Sequence, residues 1–300
     1  EATQLNAVRT KDYMVLEAEK AYMNLQVSYK YKSVLEKASS FISELLDQTE
    51  RFYEQGIIQK TDVLSVKIRV LEIKNTLQKA KSQITNASNY AAFLMNDSSG
   101  VLLKPSDSLS INETLSFNTG SISDLRADIK ALELVTESNK NIFTSNKMSY
   151  LPRLNAFGSY ELYDNEVFRG GANGYIVGAQ LSWDLFQGAK RIGKIQKARA
   201  AFEQSKIDLQ EYKSKSSLEL EKAKRMLQDA NNNISLTELG LEQAEEILRI
   251  KNNRYKEGLE KITDVLQAET NVANKNLAYY QAIYEYNYTL HYIQFLTKEN

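Results

Sequence analysis

Two aspartates occupy matched places in the chain, Asp62 in Thr61-Asp62-Val63-Leu64 and Asp264 in Thr263-Asp264-Val265-Leu266. Each follows a glycine, Gly56 or Gly258, and a tyrosine, Tyr53 or Tyr255, at the same spacing. A carboxylate in the first turn of a helix accepts from free backbone N–H groups and offsets the positive end of the helix dipole. Covalent and acid–base chemistry finds little material elsewhere. The chain has no cysteine and one histidine, His291, so Cys/His sites are excluded and a Ser/His arrangement would need His291 as its base. No serine sits in a nucleophile-elbow pattern, and neither a glycine-rich phosphate loop nor a carboxylate–histidine metal motif is present. Paired acids such as Glu245-Glu246 fall on a solvated helix face. The chain is therefore read as a non-enzyme with no cofactor.

Composition narrows the class further. Lys and Arg number 38 and Asp and Glu 38 over 300 residues, and zero net charge leaves no electrostatic footprint for nucleic acid. With 2 prolines and 12 glycines, punctuation is sparse and the elements must be few and long. No run approaches the roughly 18 apolar residues of a membrane helix. Residues 1–20 show no positively charged, apolar leader.

The elements that carry the two aspartates repeat. Arg51 to Leu64 aligns without a gap on Asn253 to Leu266, pairing Tyr53 with Tyr255 and Gly56 with Gly258, an offset of 255 − 53 = 202. The offset persists far from the motif: Glu19-Lys20-Ala21 falls on Glu221-Lys222-Ala223, Leu25 on Leu227, Ala80 on Ala282 and Phe93-Leu94 on Phe295-Leu296. A period this long is a duplicated half-protein, not a solenoid unit.

Within each half the periodicity predicts a long helical hairpin. From Gln187 the heptad seam runs through Ile192, Ile195, Phe202, Leu209, Leu220, Ala223, Leu227, Ala230, Ile234, Leu241, Ala244 and Leu248. Its length is roughly 60 residues, or about 90 Å at the rise of an α-helix. Gly258 permits the tight turn, and Thr263-Asp264 opens a second helix that runs to about Lys298. The first half repeats this with helices near Leu5–Gln55 and Thr61–Met95. Asn96 to Gly120 is polar and reads as a connector, and a helix resumes near Ser123 and stops before Pro152. The period then changes to two. Leu154, Ala156, Gly158, Tyr160 and Leu162 share one face of a strand, and Tyr175, Val177, Ala179, Leu181, Trp183 and Leu185 one face of a second. The polar segment Asp164–Gly174 lies between them as a loop. A membrane β-barrel hairpin and a soluble hairpin packed on helices both fit this alternation.

Together these residues carry a family resemblance. The duplicated turn Tyr-x-x-Gly-x-x-x-x-Thr-Asp-Val-Leu, the segment Asp128-Ile129-Lys130-Ala131-Leu132-Glu133, the strand entry Tyr150-Leu151-Pro152-Arg153-Leu154 and the exit Leu181-Ser182-Trp183-Asp184-Leu185-Phe186-Gln187-Gly188 resemble TolC-type outer membrane efflux proteins over nearly the whole chain. The implied fold is mainly α, with two long antiparallel coiled-coil hairpins and one β-hairpin of a trimeric membrane β-barrel. The resemblance implies a homotrimer in the outer membrane with its helical barrel in the periplasm, engaged by a periplasmic adaptor (membrane fusion) protein and an inner-membrane pump. Such a duct exports small molecules or proteins in tripartite efflux or type I secretion. The competing class is a periplasmic coiled-coil adaptor or structural interaction protein without a pore, which would need lipoyl-like and β-barrel domains not found here.

The resemblance also assigns roles. Asp62, Asp264, Tyr53 and Tyr255 are expected at or near the periplasmic aperture, where a ring of carboxylates favours cations; the capping role of both aspartates competes with this. Gly56, Ile57, Ile58, Gly258, Leu259 and Glu260 are expected at the tips that meet the adaptor. Glu260 stands where some relatives carry a basic residue. Tyr175, Val177, Ala179, Leu181, Trp183 and Leu185 are the expected membrane-facing strand residues, in contact with outer membrane lipid. Tyr280, Tyr284, Tyr288 and Tyr292, four residues apart, read as packing between helices.

The expected divisions are 1–98 (first helical hairpin), 99–122 (connector), 123–150 (helix of the equatorial region), 151–188 (β-hairpin) and 189–300 (second helical hairpin). Only one β-hairpin is present where the family has two. Subtracting 202 from Leu154–Phe186 places its counterpart at about −48 to −16, upstream of Glu1. The sequence thus predicts an N-terminally truncated chain lacking the signal sequence and the first barrel hairpin, and such a chain is expected to tolerate a soluble state.

Overall fold

The computed structural model describes residues 1–112, 120–163, 172–186 and 188–299. Its elements are helices α1 (Ala2–Glu54), α2 (Lys60–Leu94) and α3 (Ala127–Met148), strands β1 (Arg153–Tyr163) and β2 (Ala172–Ser182), and helices α4 (Lys190–Lys256) and α5 (Ile262–Thr297). The mainly α reading with two helical hairpins and one β-hairpin is met. The chain divides into two compact units, one of Glu1–Asn6 with Ala127–Lys215 and the other of Ala7–Arg126 with Ser216–Asn300.

In the larger unit three apolar clusters hold the helices together. At the turn end, Ile42 and Leu45 of α1, Val66 and Ile73 of α2, Tyr255 of α4 and Val265 of α5 form one core. Farther along, Leu220, Ala223 and Leu227 of α4 meet Leu290, Ile293 and Leu296 of α5. A third cluster joins Val27 and Ile283 to Leu109 of the connector. The connector is strapped down by specific polar contacts. The Ser88 hydroxyl accepts from the Leu103 N–H at 2.8 Å, and the Asn287 amide accepts from Asn112 N–H at 3.0 Å while donating to Ser110 O at 2.8 Å. Residues 113–119 of the expected connector lie outside the described residues. Fully buried Arg126 donates to Leu296 O at 3.2 Å and Ser216 Oγ at 2.7 Å, so its cation also meets the negative C-terminal end of α5.

The tyrosine stripe of α5 packs as expected. Tyr284 stacks on Tyr288 at 6.2 Å between centroids and Tyr288 on Tyr292 at 6.0 Å, and from α1 Lys20 Nζ lies 5.8 Å from the Tyr288 ring. Tyr292 donates a short hydrogen bond to Glu219. Burial and the carboxylate together push the phenol well above its ordinary titration range. His291 is mostly buried beside Glu19, with Nδ1 and Oε2 2.8 Å apart.

In the smaller unit α3 is tied to the first part of α4. Tyr212 donates to Asp128 at 2.6 Å, Lys213 pairs with Glu133 at 2.8 Å, and Phe143 stacks on Phe202 at 6.4 Å. Strands β1 and β2 pair antiparallel with Leu154 opposite Leu181, Ala156 opposite Ala179, Gly158 opposite Val177 and Tyr160 opposite Tyr175. The two apolar faces read from sequence are thus one face of one hairpin. The ladder ends at Ser182, so Trp183 and Leu185, read as strand residues, lie beyond it. The register would place Trp183 opposite Pro152, which has no N–H to give. Trp183 instead donates its indole N–H to Tyr150 O at 3.1 Å. The hairpin loop expected within Asp164–Gly174 lies outside the described residues over 164–171.

Candidate functional site

Each helical hairpin turns by the same device. Gly56 and Gly258 take φ values of +73° and +75°. Their N–H groups bond Tyr53 O and Tyr255 O, and the next residues, Ile57 and Leu259, bond back to Phe52 O and Arg254 O. This is the Schellman arrangement, in which a left-handed residue closes the helix and an apolar residue follows. A Cβ at either glycine would meet no atom within 4 Å. Glycine is therefore required by backbone conformation, not by space.

After the turns the halves diverge. Asp62 supplies the carboxylate half of a capping box, accepting from Gln59 N–H at 3.2 Å. Asp264 sits in the first turn of α5, and its N–H bonds Lys261 O as the Asp62 N–H bonds Gln59 O, both at 3.1 Å. The two tyrosines differ as well. Tyr255 is buried, its hydroxyl 3.1 Å from Thr49 Oγ1 and its ring 5.8 Å from Phe52. Burial raises its titration range, and the nearby Asp62 carboxylate adds to the effect. Tyr53 is exposed. Within one chain the Tyr255 ring thus packs between the hairpins. Ile57 and Leu259 are exposed and Ile58 half-buried. Glu260 pairs with Arg254 at 3.0 Å and Lys251 at 3.7 Å inside its own hairpin.

One pair that sequence reading missed joins the two halves. Arg69 of α2 donates through Nε and Nη2 to Glu269 Oε2 of α5 at 3.1 and 2.9 Å. Glu269 is buried and its Oε1 has no partner. The available signal was a charge on an apolar seam, since Val265 and Ala268 flank Glu269 and are also buried.

On the β-hairpin, Tyr175, Val177, Leu181, Trp183 and Leu185 are all exposed, together with Leu154 and Tyr160 opposite them. An apolar face this continuous, with nothing among the described residues packed on it, is unusual for a protein surface in water. No helix among the described residues is long and apolar enough to cross a membrane, and among those residues no group of acids and histidines could hold a metal ion.

The fold is two helical hairpins with matched turns and a β-hairpin bearing a bare apolar face, and comparison with known proteins places it in a family. A family model described as outer membrane efflux protein matches residues 121–296, and the chain belongs to that family. Among solved structures, VceC, an outer membrane protein of Vibrio cholerae, is 22% identical with a TM-score of 0.83, covering 99% of this chain and 73% of that one. A membrane protein of Pseudomonas aeruginosa superposes with a TM-score of 0.89 at 15% identity over 99% of this chain and 71% of its own. The CmeC outer membrane channel of Campylobacter jejuni gives 0.88 at 16% identity, covering 99% and 64%. No curated protein matches the chain.

Proposed function

We propose that the chain is a protomer of a trimeric outer membrane duct that exports small molecules or proteins, joined at its helical tips to a periplasmic adaptor and an inner-membrane pump. The observation that carries this reading is a mismatch between repeat-related positions in the larger unit. Packing within each hairpin is shared by both halves: Ala21 and Ala223, Leu25 and Leu227, Val66 and Ala268, and Ala80 and Ala282 are all buried. Packing between the halves is not shared. On α1, Leu16, Val34 and Leu45 are 3%, 7% and 3% exposed, whereas their counterparts on α4, Leu218, Leu236 and Ile247, are 67%, 70% and 50% exposed. On α2, Leu64, Ile68 and Leu71 are exposed, whereas Leu266, Thr270 and Ala273 of α5 are half-buried or buried. One junction between halves, α1 with α5, is made inside the chain. Its repeat-related junction, α4 with α2, is open on both sides and fits a second copy added head to tail, which closes into a ring.

The repeat names the contacts. Tyr31 of α1 bonds Gln281 of α5 at 3.1 Å, and adding or subtracting the offset gives Asn233 of α4 and Lys79 of α2. The chain has no cysteine, so Asn233→Cys with Lys79→Cys can be probed by a short bis-maleimide in mild detergent. The expected products run at two and three times the protomer mass and are absent from either single variant. A monomer that never cross-links would favour the poreless coiled-coil class.

The remaining assignments belong to this proposal. Asp264 supplies the carboxylate ring of the aperture, and Tyr53 lies at the turn of the other hairpin. Ile57 and Leu259 present the adaptor-facing tips. Tyr175, Val177, Ala179, Leu181, Trp183 and Leu185 face outer membrane lipid, and the helical part stands in the periplasm. The bare apolar face of the hairpin supports the membrane placement.

A further inference from the structure

At the base of the β-hairpin the smaller unit holds a cavity of about 660 Å³ where the end of α3, the start of β1, the end of β2 and the start of α4 converge. Its lining includes four cations, Arg153, Lys190, Arg191 and Lys194, against one carboxylate, Asp184. Arg153 opens β1, and its register partner Ser182 closes β2. Lys190, Arg191 and Lys194 lie on the first turns of α4, whose free N–H groups add the positive end of a helix dipole.

Arg191 marks this cavity as a site for an anion. It is 9% exposed, its Nη2 donates to Asp184 O at 2.6 Å, and its guanidinium lies 4.9 Å from the centre of the Tyr150 ring. Its Nε is buried with no hydrogen-bond partner. A buried guanidinium donor left unsatisfied is costly, and a tetrahedral oxyanion offers the acceptors it lacks. The surroundings of the cavity point to the carrier of that oxyanion. Leu151 lines the cavity, Tyr150 lies under Arg191 and Trp183 bonds Tyr150, and all three are exposed, as are Leu185 and Phe186 next in the chain. Apolar and aromatic groups next to a basic pocket are the arrangement found where a protein meets lipid headgroups.

We infer that this cavity binds the phosphate of a phospholipid headgroup at the periplasmic side of the outer membrane. The lipid source rests on the membrane placement proposed above; the phosphate chemistry does not. Trp183, the only tryptophan, donates to the backbone of the Tyr150 that Arg191 covers, so its fluorescence reports occupancy.

The intact protein in neutral detergent is titrated with dihexanoyl phosphatidylglycerol, with dihexanoylglycerol and with inorganic phosphate. Saturable binding is expected for phosphatidylglycerol, weaker binding for inorganic phosphate and none for the phosphate-free lipid. Arg191→Gln should raise the phosphatidylglycerol midpoint about tenfold. Lys190→Gln with Lys194→Gln, on exposed side chains that folding does not need, should do the same. Midpoints unchanged in both variants, or no saturable signal, would overturn the inference. Saturation by inorganic phosphate without phosphatidylglycerol binding would overturn the lipid assignment. Flotation with vesicles reads the membrane placement separately: protein that floats yet gives no titration loses the site and keeps the placement, and the reverse result loses the placement and keeps the site.

Discussion

Asp62 and Asp264 share their neighbours in sequence, and we propose that they differ in their work. The Asp62 carboxylate accepts from the backbone at the start of α2, and removal of such a cap costs about 1 kcal/mol. Asp264 lies in the first turn of α5, where the proposed duct would set its charge to act on ions. Asp62→Ala is expected to lower the urea midpoint with little change in single-channel selectivity. Asp264→Asn is expected to lower cation selectivity while leaving the midpoint nearly unchanged, and equal effects on both readouts would count against this division. The sequence displayed both aspartates but could not separate them, because the Asp62 cap is a bond to the backbone N–H of Gln59, a group that every residue except proline carries. The same holds for Tyr53 and Tyr255. A duplication copies residues faithfully, but each copy then meets different neighbours. Only the partners Thr49 and Phe52 decide which ring is buried.

At the scale of elements, α2 and α5 are joined by the Arg69–Glu269 pair. Removing Arg69 alone would strand a buried carboxylate, at a cost of about 3 kcal/mol or more. Arg69→Met with Glu269→Met should recover much of that loss, and a double-mutant cycle on chemical unfolding measures it. Burial outweighs Arg69 and holds the Glu269 carboxyl above the ordinary 4.5. In the window above 4.5 the folded state then keeps a proton that the unfolded state has released, so this group's contribution to stability grows as pH falls through that window. Glu269→Gln should remove that slope; an identical pH profile in the variant would refute the assignment. The helices themselves were legible within a few residues, because long heptad seams and two glycine turns leave few alternatives. The pair was not, since its members are 200 positions apart. The end of β2 was legible in principle: Pro152 cannot donate to Trp183, a point that side-chain alternation alone does not reveal.

For the whole molecule, the duplicated halves leave one junction closed and its counterpart open. Leu236→Glu, on the open face of α4, should leave the fold of each chain intact, since Leu236 touches water in the isolated protomer. It should abolish cross-linking in the proposed ring, as read by the Asn233 and Lys79 cysteine pair. A ring that requires every junction gives such a variant a genetic consequence. Produced beside the normal protein, a subunit with one blocked face and one sound face would be recruited and then accept no further neighbour. In an assembly of three, the fraction of intact ducts would fall as the third power of the normal subunit's share. A single altered residue on a helix surface would therefore act as a dominant poison of efflux, with greater effect than deletion of the same gene copy.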